Sequence, residues 1–413
     1  MSCCDRGGLM CLDEALETLL GKFLATEQIE TVALEDALGR VLAAPVVSDI
    51  FVPPHDNSAV DGYAINTNDL AATASNPALP LSQRIPAGAA PGNFIRETTA
   101  RIFTGAFVPA GANAVVMQED CEEIDGLVTL PATIKAGDNI RPKGQDIQAG
   151  QQLFEAGHQL KPYDLGLIAS VGIARVSVYR KLTISILSTG DELAEPGSPL
   201  APGQIYNSNR YLLRGMLAQL NFNFLDLGII ADTAQATEDA LKKAAQESDV
   251  ILTTGGVSVG EEDHVKAAIE KLGSLDLWRL AIKPGKPLAY GLISDTPIIG
   301  LPGNPGAVFV TFCLIARACL LKMQGMTTYS PRSQKMPLGF SIKKAGKRRE
   351  FLRVRLNHSG PAPFLEEYPN QSSGVLSSAS WSSGFAVIME NTAPQTGDLV
   401  DYISFNDVFG ICF

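Results

Sequence analysis

Between residues 181 and 330, short β-branched runs alternate with helical repeats, and this rhythm restricts the fold more than any other feature of the chain. Residues 182–187, 224–230 and 250–253 read as strands, and 207–220 and 237–246 as helices, with Asn207 or Ser208 as the cap of the first. A helix over 262–272, strands over 288–292 and 297–301, and a helix over 307–320 complete the series. Strands that alternate with helices call for a mainly parallel sheet covered on both faces.

The flanking regions have other rhythms. Leu12, Leu16, Leu19 and Leu20 recur at helical spacing and predict a helix over 9–22, with Asp13 and Glu14 in the first turn where the dipole favours them. A second short helix is expected over 34–42. Residues 46–150 switch to short β runs, such as 101–103 and 114–117, separated by Pro- and Gly-rich turns. A helix near 163–171 and a strand over 174–179 follow. The pattern predicts an elongated, discontinuous N-terminal domain (9–45 plus 148–180) interrupted by an inserted β-rich domain (46–147). The α/β domain covers 181–330. From 331 to 413 helical periodicity fades and short strands at 351–356 and 385–389 predict a small C-terminal β domain. A chain of 413 residues accommodates this division, since domains run to roughly 100–200 residues.

A net charge of −11 argues against a general nucleic-acid or anionic-membrane binder, because both need a basic surface. Residues 1–12 lack an apolar core and are not expected to form a signal peptide. The most apolar stretch, 308–321, is short for a membrane span and contains Arg317, so a buried amphipathic helix is expected. Seven scattered cysteines (3, 4, 11, 121, 313, 319 and 412) suggest neither a disulfide framework nor a paired metal site, and the chain reads as cytoplasmic. The four histidines, at 55, 158, 264 and 358, are dispersed and mark no Ser-His-Asp arrangement.

In open parallel sheets, ligands bind beyond the carboxyl ends of the strands, and the polar clusters fall at those ends. The first strand runs into Ser188-Thr189-Gly190-Asp191-Glu192, the second ends at Asp232, and the third enters Thr254-Gly255-Gly256-Val257-Ser258, followed by Asp263. Lys283-Pro284-Gly285-Lys286-Pro287 precedes the fourth strand, and the fifth enters Leu301-Pro302-Gly303-Asn304-Pro305. Glycines let backbone N–H groups approach phosphate oxygens, and a following helix N-terminus adds a favourable dipole. Lys283 and Lys286 offer cations to an oxyanion. Glu192, Asp232 and Asp263 are hard oxygen ligands suited to Mg²⁺, which commonly combines one or two carboxylates with substrate phosphates. Taken singly, each cluster is accounted for by a tight turn; several at one sheet edge point to a phosphate and metal site. Neither a Walker A pattern nor a strand-linked GxGxxG occurs. The polar loop at 56–64 is likewise explained by turn-forming Asn-Ser and Asp-Gly pairs.

PPHDNSAVDGYA, RIFTGA, AVVMQED, the 141–146 segment, STGDEL, TTGGVSVGEED, AIKPGKP and GLPGNP, in this order, closely resemble the molybdopterin molybdenumtransferase family (MoeA and the gephyrin E domain) from Leu9 to the C-terminus. The resemblance implies a multi-domain α/β protein with a MogA-like central domain. It implies an enzyme that takes adenylylated molybdopterin, uses Mg²⁺ and molybdate, inserts molybdenum at the dithiolene and releases AMP. It implies a homodimer with a cleft between subunits, a molybdopterin adenylyltransferase upstream, and molybdoenzymes or their chaperones downstream. Carried over by motif, Glu192, Asp232 and Asp263 lie near metal and phosphates, with Ser188, Thr189, Gly255 and Gly256 in the same loops. Ser258, Lys283, Lys286 and Pro287 line the pterin and oxyanion site, and Pro302 and Pro305 shape the LPGNP turn. Asp61 (among the catalytic carboxylates), Thr104, Arg141 and Asp146 come from the β-rich domain, and Arg353 and Ser373 from the C-terminal domain. Arg279 stands where the family often has Lys, and Gln145 where it is often acidic. An adenylyltransferase, a gephyrin-like scaffold and a tungstate-selecting relative stand as alternatives.

Overall fold

The computed structural model describes residues 8–70, 76–90, 92–255 and 264–410. In its central unit, six strands lie in the order Asn223–Ile230, Thr183–Thr189, Val250–Thr254, Thr296–Leu301, Pro287–Ile293 and Gly273–Arg279. The first four run parallel, and the last two are antiparallel to their neighbours. The expected mainly parallel sheet therefore carries an antiparallel edge. A tight turn with Ser294 at φ 54° folds Pro287–Ile293 against Thr296–Leu301. The edge strand Gly273–Arg279 is an addition to the elements the sequence pattern predicts. It is largely exposed on both faces, so it carries no strong apolar run.

Both faces of the sheet are covered. Ile184, Ile186, Leu252 and Ile299 join one core with Leu213 and Leu217 of helix Ser208–Gln219. Leu187, Ile251 and Ile298 join a second core with Leu241, Ala244, Val265 and Ile269 from helices Ala234–Glu247 and His264–Leu272. This alternation is what a two-sided sheet demands of its strands. Helix Ala234–Glu247 starts three residues before the expected point, because Thr233 accepts a hydrogen bond from the Ala236 N–H and caps it.

The long helical run from Pro305 to Met323 is built of two α segments joined by a π turn over Phe312–Ala316. With mean hydropathy 1.8 it is long and apolar enough to cross a bilayer, yet 89% of it is buried within the protein. It is buried all round rather than on one face, which corrects the amphipathic expectation. Arg317 is buried with it, donating to the Tyr329 carbonyl at 2.7 Å. Helix Leu12–Lys22 packs in the same core through Leu12, Ala15 and Leu19.

Strand Ile29–Ala33 pairs with Arg175–Tyr179, and Val46–Val47 with Gln152–Phe154, so partners far apart in sequence close the N-terminal part. No helix spans 34–42. A single 3₁₀ turn, Leu34–Asp36, gives way at Gly39 (φ 71°) to bridges from Val41 to Gln159 and Leu42 to Val178. Between these pairings lies a six-stranded sheet in the order Ala114–Met117, Gly62–Ile65, Thr99–Ile102, Ala78–Ile85, Leu127–Thr129 and Glu122–Ile124. The C-terminal sheet holds Arg349–Asn357, Gly384–Ile388, Leu399–Ser404 and Gln334–Pro337, with Phe364–Glu367 on Arg349–Asn357. Its remaining edge is Ile282–Lys283, lent by the central unit and paired in parallel with Arg349 and Glu350.

Candidate active site

The chain reverses its direction of travel across the sheet at Thr183–Thr189. Its next strand, Asn223–Ile230, lies on one side and the following one, Val250–Thr254, on the other. A crevice at such a switch point, beyond the carboxyl ends, is where open α/β sheets bind ligands. Three loops meet there. Gly255 donates to the Leu301 carbonyl at 3.2 Å. A Cβ built on Gly255 would stand 3.7 Å from the Thr189 carbonyl, and one on Gly303 would stand 3.9 Å from the Gly255 Cα. Gly255 takes φ 82°, a conformation that favours glycine. Ser188 is buried beside these loops and its hydroxyl finds no partner among the described residues.

The antiparallel edge brings the lysine loop to the same rim. An antiparallel strand starts where its parallel neighbour ends, and Ala289 pairs with Gly300, so Pro287 comes level with Pro302. Lys283 pairs with Glu350 at 3.1 Å, while the ammonium of half-buried Lys286 has no hydrogen-bond or ion-pair partner among the described residues. Gly285, at φ 105°, lets this loop sit on the long helix; a Cβ there would meet Thr311 Cγ2 at 2.5 Å. Pro302 is buried and Pro305 opens the long helix as its first residue, where a missing N–H costs nothing.

The C-terminal domain touches this rim through Ser373. Its hydroxyl accepts from Asn304 Nδ2 at 3.2 Å, and its carbonyl accepts from the Gly306 N–H at 2.8 Å. Arg353 lies inside the C-terminal domain, directly behind the Ser372–Ser373 segment. It is 1% exposed and donates to Ser378 Oγ (3.0 Å), the Ser372 carbonyl (3.1 Å) and the Phe351 carbonyl (3.4 Å). Burial pushes its guanidinium down to about 10. Arg353 thus braces the Ser372–Ser373 segment from behind.

Of the carboxylates, Glu192 folds over Gly190, so that any side chain at position 190 would collide with its carboxylate. Asp232 is half-exposed just after strand Asn223–Ile230. Neither side chain makes an ion pair among the described residues. Gly256, Ser258 and Asp263 lie outside the described residues. Among the described residues, no three His, Cys, Asp or Glu side chains gather for a metal. The available donor set, the exposed Glu192 and half-exposed Asp232 carboxylates after neighbouring strands, suits an ion such as Mg²⁺ completed by substrate phosphates rather than a closed protein cage.

In the β-rich domain Asp61 accepts from the Thr104 amide at 2.7 Å and from its hydroxyl at 2.8 Å. The amide first, then the hydroxyl, hold the Asp61 carboxyl below the ordinary range against a small desolvation, with help from the Arg101 charge. Arg141 pairs through its backbone with Asn57, and both Arg141 and Asp146 are exposed. Sequence reading missed Glu350 as the partner of Lys283, and Asn209, whose Nδ2 donates to the Gly303 carbonyl at 2.7 Å. Neither residue type signals its long-range partner locally.

The fold defines a multidomain α/β protein whose central unit brings the Thr189, Gly255 and Gly303 loops together at its switch point. Residues 185–322 match the family model described as "Probable molybdopterin binding domain". Residues 10–172 match the MoeA N-terminal region (domain I and II), and 335–405 the MoeA C-terminal region (domain IV). A molybdopterin molybdenumtransferase of Haemophilus influenzae is 37% identical over 417 residues, covering 97% of this chain and 100% of the relative. One from Nostoc sp. is 35% identical over 379 residues, covering 90% and 87%. The molybdopterin biosynthesis MoeA protein of Pyrococcus horikoshii superposes with a TM-score of 0.83 at 28% identity, covering 96% of this chain and 100% of that one. The chain belongs to the molybdopterin molybdenumtransferase family.

Proposed function

We propose that this protein inserts molybdate into adenylylated molybdopterin in a Mg²⁺-dependent reaction that releases AMP. The family assignment makes the chain a transferase of molybdenum-cofactor biosynthesis; the adenylylated substrate, the metal and AMP release are the finer reading. The observation that carries it is the meeting of Thr189, Gly255 and Gly303 at one rim, with the loop that bears Lys283 and Lys286 packed through Gly285 on the long helix that starts there. Glycines at the crevice leave room for phosphate oxygens, and the start of the long helix favours negative charge. Lys283, steadied by Glu350, and unpaired Lys286 suit a tetrahedral oxyanion such as molybdate. Glu192, Asp232 and Asp263 would hold Mg²⁺, which when bound supplies charge neutralisation at the phosphates. Cleaving a phosphoanhydride with water needs positioned groups and neutralised charge more than a protein nucleophile.

In this reading the protein works as a cytoplasmic homodimer in which Asp61 and Thr104 of one subunit complete the cleft of the other. It receives substrate from a molybdopterin adenylyltransferase and hands product to molybdoenzymes or their chaperones. The purified protein, given Mg²⁺ and molybdate, should activate an apo-molybdoenzyme from adenylylated molybdopterin. Asp263→Ala should abolish that activation while its thermal melt matches the wild type. Wild-type activity retained in Asp263→Ala would remove the carboxylate set from the reaction.

A further inference from the structure

The side chain of Asn209, early in helix Ser208–Gln219, crosses to the LPGNP turn and donates from Nδ2 to the Gly303 carbonyl at 2.7 Å. That bond fixes the amide: its nitrogen faces the turn, so Oδ1 faces elsewhere. Oδ1 is buried and accepts no hydrogen bond among the described residues. A buried acceptor left without a donor is costly, so such atoms mark a place where a partner is missing. Capping does not explain the residue, because Asn207 already accepts from the Arg210 N–H at 3.2 Å. Gly303 in turn rests on Gly255, and Gly255 on the Thr189 carbonyl, so Asn209 is anchored where the three loops converge. A carbonyl and the next N–H point in opposite directions across a trans peptide, so the same bond sets the direction of the Asn304 N–H at the start of the long helix.

We propose that Asn209 orients the substrate: Nδ2 holds the Gly303 turn, and Oδ1 accepts a hydrogen bond from an N–H or O–H donor of the bound pterin. This rests on the reading of the rim as a pterin site. The test measures molybdopterin binding by fluorescence on the full chain for wild type, Asn209→Ala and Asn209→Asp, from pH 8 to pH 5. Asn209→Ala should weaken binding roughly 10- to 100-fold, as loss of a buried hydrogen-bonding group does, with its thermal melt close to wild type. Asn209→Asp should bind worst at pH 8, where a carboxylate faces the Gly303 carbonyl. It should recover relative to wild type as pH falls, because the neutral acid restores one donor and one acceptor. Wild-type binding by Asn209→Ala, or an Asn209→Asp deficit that does not change with pH, overturns the proposal and leaves the pterin site standing. Failure of wild type to bind molybdopterin overturns both.

Discussion

Arg353 and Asp61 show two different uses of a charged side chain. Arg353 lies in the C-terminal core with no ion-pair partner among the described residues, each of its three guanidinium nitrogens donating to Ser378 Oγ or one of two carbonyls. Its guanidinium, lowered only to about 10, stays cationic at neutral pH. Arg353→Ala should therefore cost about 2–4 kcal/mol in urea unfolding, by stranding those acceptors and opening a cavity. Asp61 is a surface carboxylate made more acidic by the Thr104 amide and hydroxyl. A depressed carboxyl stabilises the fold above the ordinary Asp range, near about 3.9, and loses that contribution as pH falls through the lower folded value. Thr104→Val removes the hydroxyl and leaves the amide, so the Asp61 titration followed by carboxyl ¹³C NMR should shift part of the way upward. An unmoved titration would mean that the hydroxyl contributes nothing to holding the charge.

At the scale of elements, the start of the long helix is where the domains meet. Gly306 donates to the Ser373 carbonyl, and a Cβ there would stand 2.8 Å from that same oxygen. Gly306→Ala should push the Ser372–Ser373 segment off the turn, costing about 1–3 kcal/mol by overpacking and lowering molybdate affinity. Calorimetry and molybdate titration read the two effects separately. Much of this level was legible in the sequence, because helix and strand periodicities in the central unit are local. What escaped depends on distant partners. Residues 34–42 look helical until Val41 and Leu42 meet Gln159 and Val178. Strand Gly273–Arg279 buries too little of either face to announce itself. The loops holding Thr189, Gly255 and Lys286 could be named from their chemistry, but the sequence does not reveal that an antiparallel strand brings the lysines to the parallel rim. Nor does it reveal that Arg353 turns inward; it shows a basic residue and not the carbonyls that surround it.

At the scale of the molecule, the proposed cleft joins domains that no single loop could supply. If it is shared between subunits, Asp61→Ala and Lys286→Ala fail at opposite walls of the same cleft. Co-expressed in equal amounts, the two inactive chains should form mixed dimers with one intact cleft, restoring about a quarter of wild-type activity. No recovery in dimers shown to be mixed would place both walls within one chain. The most direct measurement is a single-turnover incubation of the protein with adenylylated molybdopterin, Mg²⁺ and molybdate, with nucleotide and metal followed together. One AMP should appear for each molybdenum bound to the pterin. Insertion of molybdenum without AMP, or consumption of ATP to adenylylate molybdopterin, would contradict an insertase that acts on the adenylylated substrate.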